Sequence, residues 1–442
     1  MSNLALYGGK PVREKLFPAY KVIGKEDRDA VIRVVESGIL SRYIGAHHAD
    51  FMGGPEVRAF EAAWAEAYGA DHAISVNSAT SGLFAAVGAS GVGPGDEVIV
   101  SPYTMTASVT AAVVFNAVPV FADIDPGTFC LDPESIRARI TPRTKAIIVV
   151  HLFGQPADMD PIMEMAAEHN LVVIEDCAQC PFATYKGRAV GTLGHIGVFS
   201  LNYHKHIHTG EGGVVTTNDP DLAERVSLIR NHAEAVVGRR GVGNLINMVG
   251  FNFRMGEIEA AIGCRQVIKG PELVEARRHN VGYLESCLAG LPGLTMPTVG
   301  DGNRHVYYAH ALTYEAAETG VPRELFVEAL RAELAATELR EGEGPLIGAG
   351  YVRPIYLEPM FQEQTAFGDK GCPFACPHYE GEVKFDKGTC PVTERAHFET
   401  LITHELMRPP MSHADLDDVA AAFHKVAEAF PELRQKAEES GA

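Results

Sequence analysis

The chain has 442 residues, 46% of them hydrophobic, and its 57 acidic against 38 basic side chains give a formal net charge of −19. That length and apolar content supply a core for about two or three lobes, and the acidic balance without a basic stripe excludes the clustered Lys and Arg of a nucleic-acid partner. Met1 to Lys15 has no apolar leader core, and the run Val109 to Ala122 is broken by Asn116 and Pro119 short of the ~20 residues of a membrane span, so no membrane partner and a cytoplasmic location are expected.

Short apolar runs rich in Val and Ile recur at His72–Val76, Glu97–Val100, Pro119–Ala122, Ala146–His151, Leu171–Glu175, Ile196–Leu201 and Gly213–Thr217, with helical stretches between them. This rhythm predicts an α/β fold whose strands are buried on both faces by crossover helices. Ligands in such sheets sit outside the carboxyl ends of the strands, so the residues just after each run are the candidates. Beyond about Gly270 the apolar runs thin out, and the expected division is a large domain over 26–274 and a smaller carboxyl-terminal domain over 275–442, joined by 1–25.

After the first run, Asn77-Ser78-Ala79-Thr80-Ser81-Gly82 opens a helical stretch. Free amides at such a helix start can cradle a phosphate, or the serine can serve as an N-cap with no ligand. After the fifth run, Asp176 follows Glu175. Strand alternation turns the two carboxylates to opposite faces, and Asp176 is a candidate partner for a protonated ring nitrogen or a cap. Lys205 follows the sixth run beside the glycine-rich turn Thr209-Gly210-Glu211-Gly212-Gly213. A lysine so placed can join its amine to the aldehyde of pyridoxal phosphate (PLP), whereas an isolated surface lysine would be merely solvated. His204, His206 and His208 flank it, and on a strand they would share one face.

Gly250-Phe251-Asn252-Phe253-Arg254 leads into an Ala-rich helix. The eight cysteines are scattered and read as reduced thiols. Only Cys372, Cys376 and Cys390 cluster, near His378, and without paired CxxC knuckles they read as part of a Pro/Gly-rich surface loop with no metal.

Taken in order, these blocks resemble the DegT/StrS-type family of sugar aminotransferases, PLP enzymes of fold type I. The resemblance rests on Gly95-Asp96-Glu97-Val98-Ile99, Pro102-Tyr103-Thr104, Thr141 to Ile147, His151 to Asp160, Asp176 to Gln179, Ser200 to Gly213 and Gly250 to Met255. It implies a large domain built on a mostly parallel seven-stranded sheet and a smaller α+β domain. It also implies Lys205 as the Schiff-base and proton-shuttle lysine, Asp176 at the pyridine nitrogen and Gln179 near the ring hydroxyl. Ser78, Ala79, Thr80 and Ser200 would bind the phosphate, with Asn252 reaching it from the other subunit of a homodimer with shared sites. Met105 stands where relatives carry an aromatic ring over the cofactor, and Asn202 where many carry histidine.

The function implied is transfer of an amino group from glutamate or glutamine to a keto-sugar, nucleotide keto-sugar or keto-cyclitol. Alternatives are a keto-sugar dehydratase of the same family, which resembles this chain except for a histidine at the lysine position, a cysteine-desulfurase-like PLP enzyme, and a non-catalytic regulatory or metal-binding protein.

Overall fold

The computed structural model describes residues 2–440. The chain forms β1 (His72–Val76), β2 (Glu97–Val100), β3 (Val118–Phe121), β4 (Thr144–Val150), β5 (Val172–Asp176), the short hairpin β6 (Thr184–Tyr185) and β7 (Arg188–Ala189), then β8 (Ile196–Ser200) and β9 (Gly213–Thr217). Seven of these make one sheet in the order β1-β9-β8-β5-β4-β2-β3, parallel except for β9, which runs antiparallel to both neighbours. The seven apolar runs of the sequence are these seven strands. They were readable because a strand covered on both faces needs no polar alternation.

Successive side chains feed two cores, as strand alternation requires. Ile99, Ile147, Val149, Val173, Phe199 and Val214 pack with Phe60, Trp64 and Tyr68 on one face. Val98, Ile148, Ile174, Val198 and Val215 pack on the other face, against the helices Ala79–Ala89, Thr106–Val114 and Pro220–Arg230.

A second, antiparallel sheet of β10 (Leu294–Thr295), β11 (His310–Tyr314), β12 (Ile347–Ala349) and β13 (Leu401–His404) has the order β10-β11-β13-β12. Its core includes Leu312, Phe326, Leu330 and Phe423, and the amino-terminal segment joins it through Leu4 and Phe17. Ala5 N–H donates to Glu333 Oε1 at 2.8 Å, tying that segment down. The helix Glu257–Leu288, 32 residues long, contributes Ala260, Val267 and Val274 to the large-sheet core and Leu284 and Leu288 to the second. Position 275 therefore lies inside one continuous helix.

Residues 355–393 are pinned to the large sheet by scattered buried anchors, while 362–372 and 377–384 stay at the surface. Ile355 N–H donates to Pro102 O at 3.0 Å, Phe121 of β3 meets Tyr356, Phe361 and Phe385, and Asp123 accepts the Val392 and Thr393 amides, each at 2.8 Å. Phe374, Cys376 and Cys390 are buried accordingly. Composition misleads here because a few aromatic anchors outweigh the many Gly, Pro and charged residues between them. All eight cysteines are free. Among the described residues no helix is long and apolar enough to cross a membrane.

Candidate active site

Strands β4, β5 and β8 lie side by side and parallel, with Val150 opposite Asp176 and Asp176 opposite Val198, so their carboxyl ends open onto one edge. Glu175 and Asp176 point to opposite faces there. Glu175 is fully buried and accepts the amides of Gly191, Leu193 and Gly194, each within 2.8 Å. His151 Nε2 lies 2.9 Å from Glu175 Oε2, and Ala157 N–H donates to His151 Nδ1, which leaves the ring proton on Nε2 facing the carboxylate. The ligand atoms of His151, Glu175 and Cys177 lie within 4.8 Å of one another. With Glu175 already held by three amides and His151, this trio is a hydrogen-bonded brace for the turn between β7 and β8.

Asp176, 4% exposed, accepts from Ser108 Oγ at 2.7 Å and from Ala178 N–H at 3.0 Å. Two bonds leave lone pairs for one more donor. No helix begins at 177, so the capping alternative reduces to a local turn.

The corner expected to take a phosphate forms where β1 ends. Ser78 is the N-cap of the helix Ala79–Ala89, and its Oγ accepts Ser81 N–H at 3.1 Å. The first amides of that helix, at Ala79 and Thr80, have no intrahelical acceptor. Gly213 pairs with Ser200 at the ends of β9 and β8, and a side chain at Gly213 would put its Cβ 2.7 Å from the Ser78 carbonyl carbon and 2.8 Å from Ala79 N. Close backbone approach is thus built into this corner.

Lys205 sits half-buried in the turn after β8, its amide donating to Asn202 O at 2.9 Å. Its Nζ lies 4.3 Å from the centre of the Tyr308 ring. The flanking histidines do not share a strand face, because 203–208 is a turn segment. His206 is buried, with Nε2 2.8 Å from Val306 O, while His204 and His208 are half-buried. Asn202 uses its amide on Glu211 at 3.0 Å. Gln179, 4% exposed, accepts from Phe153 N–H at 2.7 Å and donates to Tyr351 OH at 2.9 Å.

Met105 is 56% exposed at the start of the helix Thr106–Val114. Asn252 is exposed, its Oδ1 accepting from Arg254 Nε at 2.7 Å and its backbone oxygen from Asn77 Nδ2 at 3.4 Å. Ser108, Tyr308 and Tyr351 were not singled out by sequence. The one signal available was the aromatic pair Tyr307-Tyr308, which has no strand-end context to give it meaning.

Residues 25–383 match the DegT/DnrJ/EryC1/StrS aminotransferase family. The chain belongs to that family. It is 46% identical over 254 residues to GDP-perosamine synthase of Caulobacter vibrioides, covering 57% of this chain and 67% of that one. It is 33% identical over 435 residues to L-glutamine:2-deoxy-scyllo-inosose aminotransferase of Streptomyces kanamyceticus, covering 96% and 97%. The crystal structure of an aminotransferase from Psychrobacter cryohalolentis superposes with a TM-score of 0.78 at 30% identity, covering 94% and 99%. The DegT-family aminotransferase is therefore a PLP enzyme of fold type I, as the sequence blocks implied.

The residues present fit that cofactor. A helix start with free amides and a glycine-tight backbone suits a phosphate, Asp176 retains acceptor capacity for a pyridinium N–H, and the Lys205 amine rests over the Tyr308 ring.

Proposed function

We propose that this aminotransferase moves the amino group of glutamine or glutamate onto the keto group of a sugar, nucleotide-sugar or cyclitol in a biosynthetic pathway. The observation that carries the reading is the full-length match to an enzyme named for L-glutamine and a keto-cyclitol. The relative named for a GDP-sugar supports the wider acceptor class.

When bound, PLP supplies an aldehyde that exchanges amines and a ring that takes up carbanion charge. Lys205 Nζ would hold the aldehyde of the bound group and would serve as the base and acid that moves the donor Cα proton. Asp176, oriented by Ser108 Oγ, would keep the ring nitrogen protonated. Ser78, Ala79, Thr80 and Ser200 would hold the phosphate, Gln179 would serve the ring hydroxyl, and Met105 would offer the ring a polarizable thioether. Lysine at position 205 favours transamination over the dehydratase, which needs histidine there.

The working unit in this reading is a cytoplasmic homodimer, with Asn252 completing the partner subunit's phosphate site. Its exposed position supports that role. The large domain over 26–274 would hold the cofactor and the domain over 275–442 would cover it. The test is to incubate purified protein with glutamine or glutamate and a panel of keto-sugars, nucleotide keto-sugars and keto-cyclitols. Formation of the 2-oxo acid from the donor and of an amine on an acceptor is expected, and the absence of both with every acceptor rejects the reading.

A further inference from the structure

The segment 355–393 carries Cys372, Cys376 and Cys390, and none of them enters the reaction proposed above. Cys372 and Cys376 stand at either end of one tight turn, closed by Ala375 N–H to Gly371 O at 2.8 Å and by Cys376 N–H to Pro373 O at 3.3 Å. Across it the Cys372 thiol donates to Cys376 Sγ. Cys376 Sγ also accepts from Asn116 Nδ2 at 3.4 Å and from the His378 amide. Cys372 is half-buried, whereas Cys376 is 5% exposed. A solute can therefore reach the first thiol, and the first thiol can reach the second. Among the described residues no third His, Cys, Asp or Glu ligand atom gathers with them within 4.8 Å, so the pair lacks the ligand set of a structural zinc.

The other thiols are set differently. Burial pushes those of Cys130, Cys177, Cys180, Cys264 and Cys390 up, Cys130 to about 12 and Cys264 to about 11. Cys177 and Cys180 also meet, but both are wholly enclosed beyond the end of β5. At Cys376 the balance is opposite, because the His378 amide foremost, then Asn116 and Cys372, favour a thiolate and bring the group below its ordinary 9. Cys372 moves up, its proton being held toward Cys376. An accessible thiol is thus backed by an activated one.

We propose that Cys372 and Cys376 form a reversible redox site, oxidised to an intrachain disulfide by low-molecular-weight disulfides. Cys372 Sγ attacks one sulfur of the reagent, its proton passes to Cys376, and the first reagent thiolate leaves. Cys376 gives that proton up to the thiolate, attacks Cys372 Sγ, breaks the mixed disulfide and expels the second thiolate. The two cysteines lose two electrons and two protons in all, and these reduce the reagent to two thiols. Sulfurs that already face each other across one turn can join without moving the rest of the segment.

The test equilibrates the PLP-loaded protein in glutathione buffers of rising oxidised fraction, followed by acid quenching, alkylation in denaturant, digestion and mass spectrometry. The peptide carrying both cysteines should lose two hydrogens and resist alkylation, and dithiothreitol should restore it. Its midpoint should fall at an oxidised fraction roughly tenfold or more below the one that modifies Cys264 or Cys287, the other half-buried thiols. In Cys376→Ser the reaction should stop at a glutathione adduct on Cys372, whereas Cys372→Ser should leave Cys376 unmodified over the same range. An adduct that accumulates on Cys372 of the unaltered protein while Cys376 stays open to alkylation overturns the proposal. So does oxidation that appears only together with that of Cys264 and Cys287, and so does an adduct on Cys376 in Cys372→Ser, which would give the first attack to the buried thiol. If either variant does not fold, the titration of the unaltered protein decides.

Discussion

The carboxyl edge of the large sheet and the 355–393 segment that straps the outer strand β3 are held by different means. At the edge, Asp176, Ser200 and Gly213 are placed by strand register, residue against residue. In the strap, position depends on scattered side-chain anchors, such as Phe361 and Phe385 on Phe121 and the Thr393 amide on Asp123. Register propagates along backbone hydrogen bonds and survives many substitutions. Anchors act singly, so the first region should fail in its chemistry when altered and the second in its stability.

The largest effect is expected at the edge. Lys205→Ala should lower transamination by a thousandfold or more, on the order of the 10²–10⁴ that a positioned acid–base group contributes together with its lost tether. Mass spectrometry after borohydride reduction should place the pyridoxyl label on Lys205 in the unaltered protein, and a label on another lysine defeats the assignment. Asp176→Asn comes next, with retained PLP and a fall in turnover of about a hundredfold or more, because an amide cannot stabilise the ring proton. Near-normal rates at full cofactor content would reduce Asp176 to a turn-forming residue.

The strap sharpens the contrast from the other side. Asp123→Ala removes the acceptor of Val392 N–H, Thr393 N–H and Thr393 Oγ1, and should lower stability by about 2 kcal/mol in chemical denaturation while PLP affinity stays within about twofold. A loss of cofactor binding as large as that of an edge variant would erase the distinction.

The smallest effect is one of pH. His206, His305 and His404 are fully enclosed, and burial foremost holds each well below its ordinary 6.5. Each stays neutral when folded but takes up a proton in the unfolded chain, so their stabilisation is complete above about 6.5 and declines as pH falls through that value. Melting temperatures from pH 8 to 5 should drop on the acid side. A flat profile there contradicts the burial of these rings.

The same contrast explains what could be read from sequence. The seven strands and the position of the candidate residues at their ends were visible because apolar runs mark doubly covered strands and punctuation marks their ends. Glu175 and Asp176 could be assigned to opposite faces by alternation alone. The His204, His206 and His208 spacing misled because the same period continues past Ser200, where the strand has already stopped. Ser108 and Tyr308 stayed hidden because each meets a candidate residue, Asp176 or Lys205, only through tertiary packing, and no local pattern records that neighbour. The strap was hidden for the same reason, its burial decided by aromatic partners on β3 more than two hundred residues earlier.

The helix Glu257–Leu288 carries a further consequence. Since Ala260, Val267 and Val274 belong to one core and Leu284 and Leu288 to another, its turns are a shared wall. Removing either core would leave half of an otherwise intact helix with an apolar stripe facing water. The two lobes should therefore melt as a single cooperative unit, and a cut anywhere between residues 257 and 288 should yield fragments that stay associated and cannot refold apart.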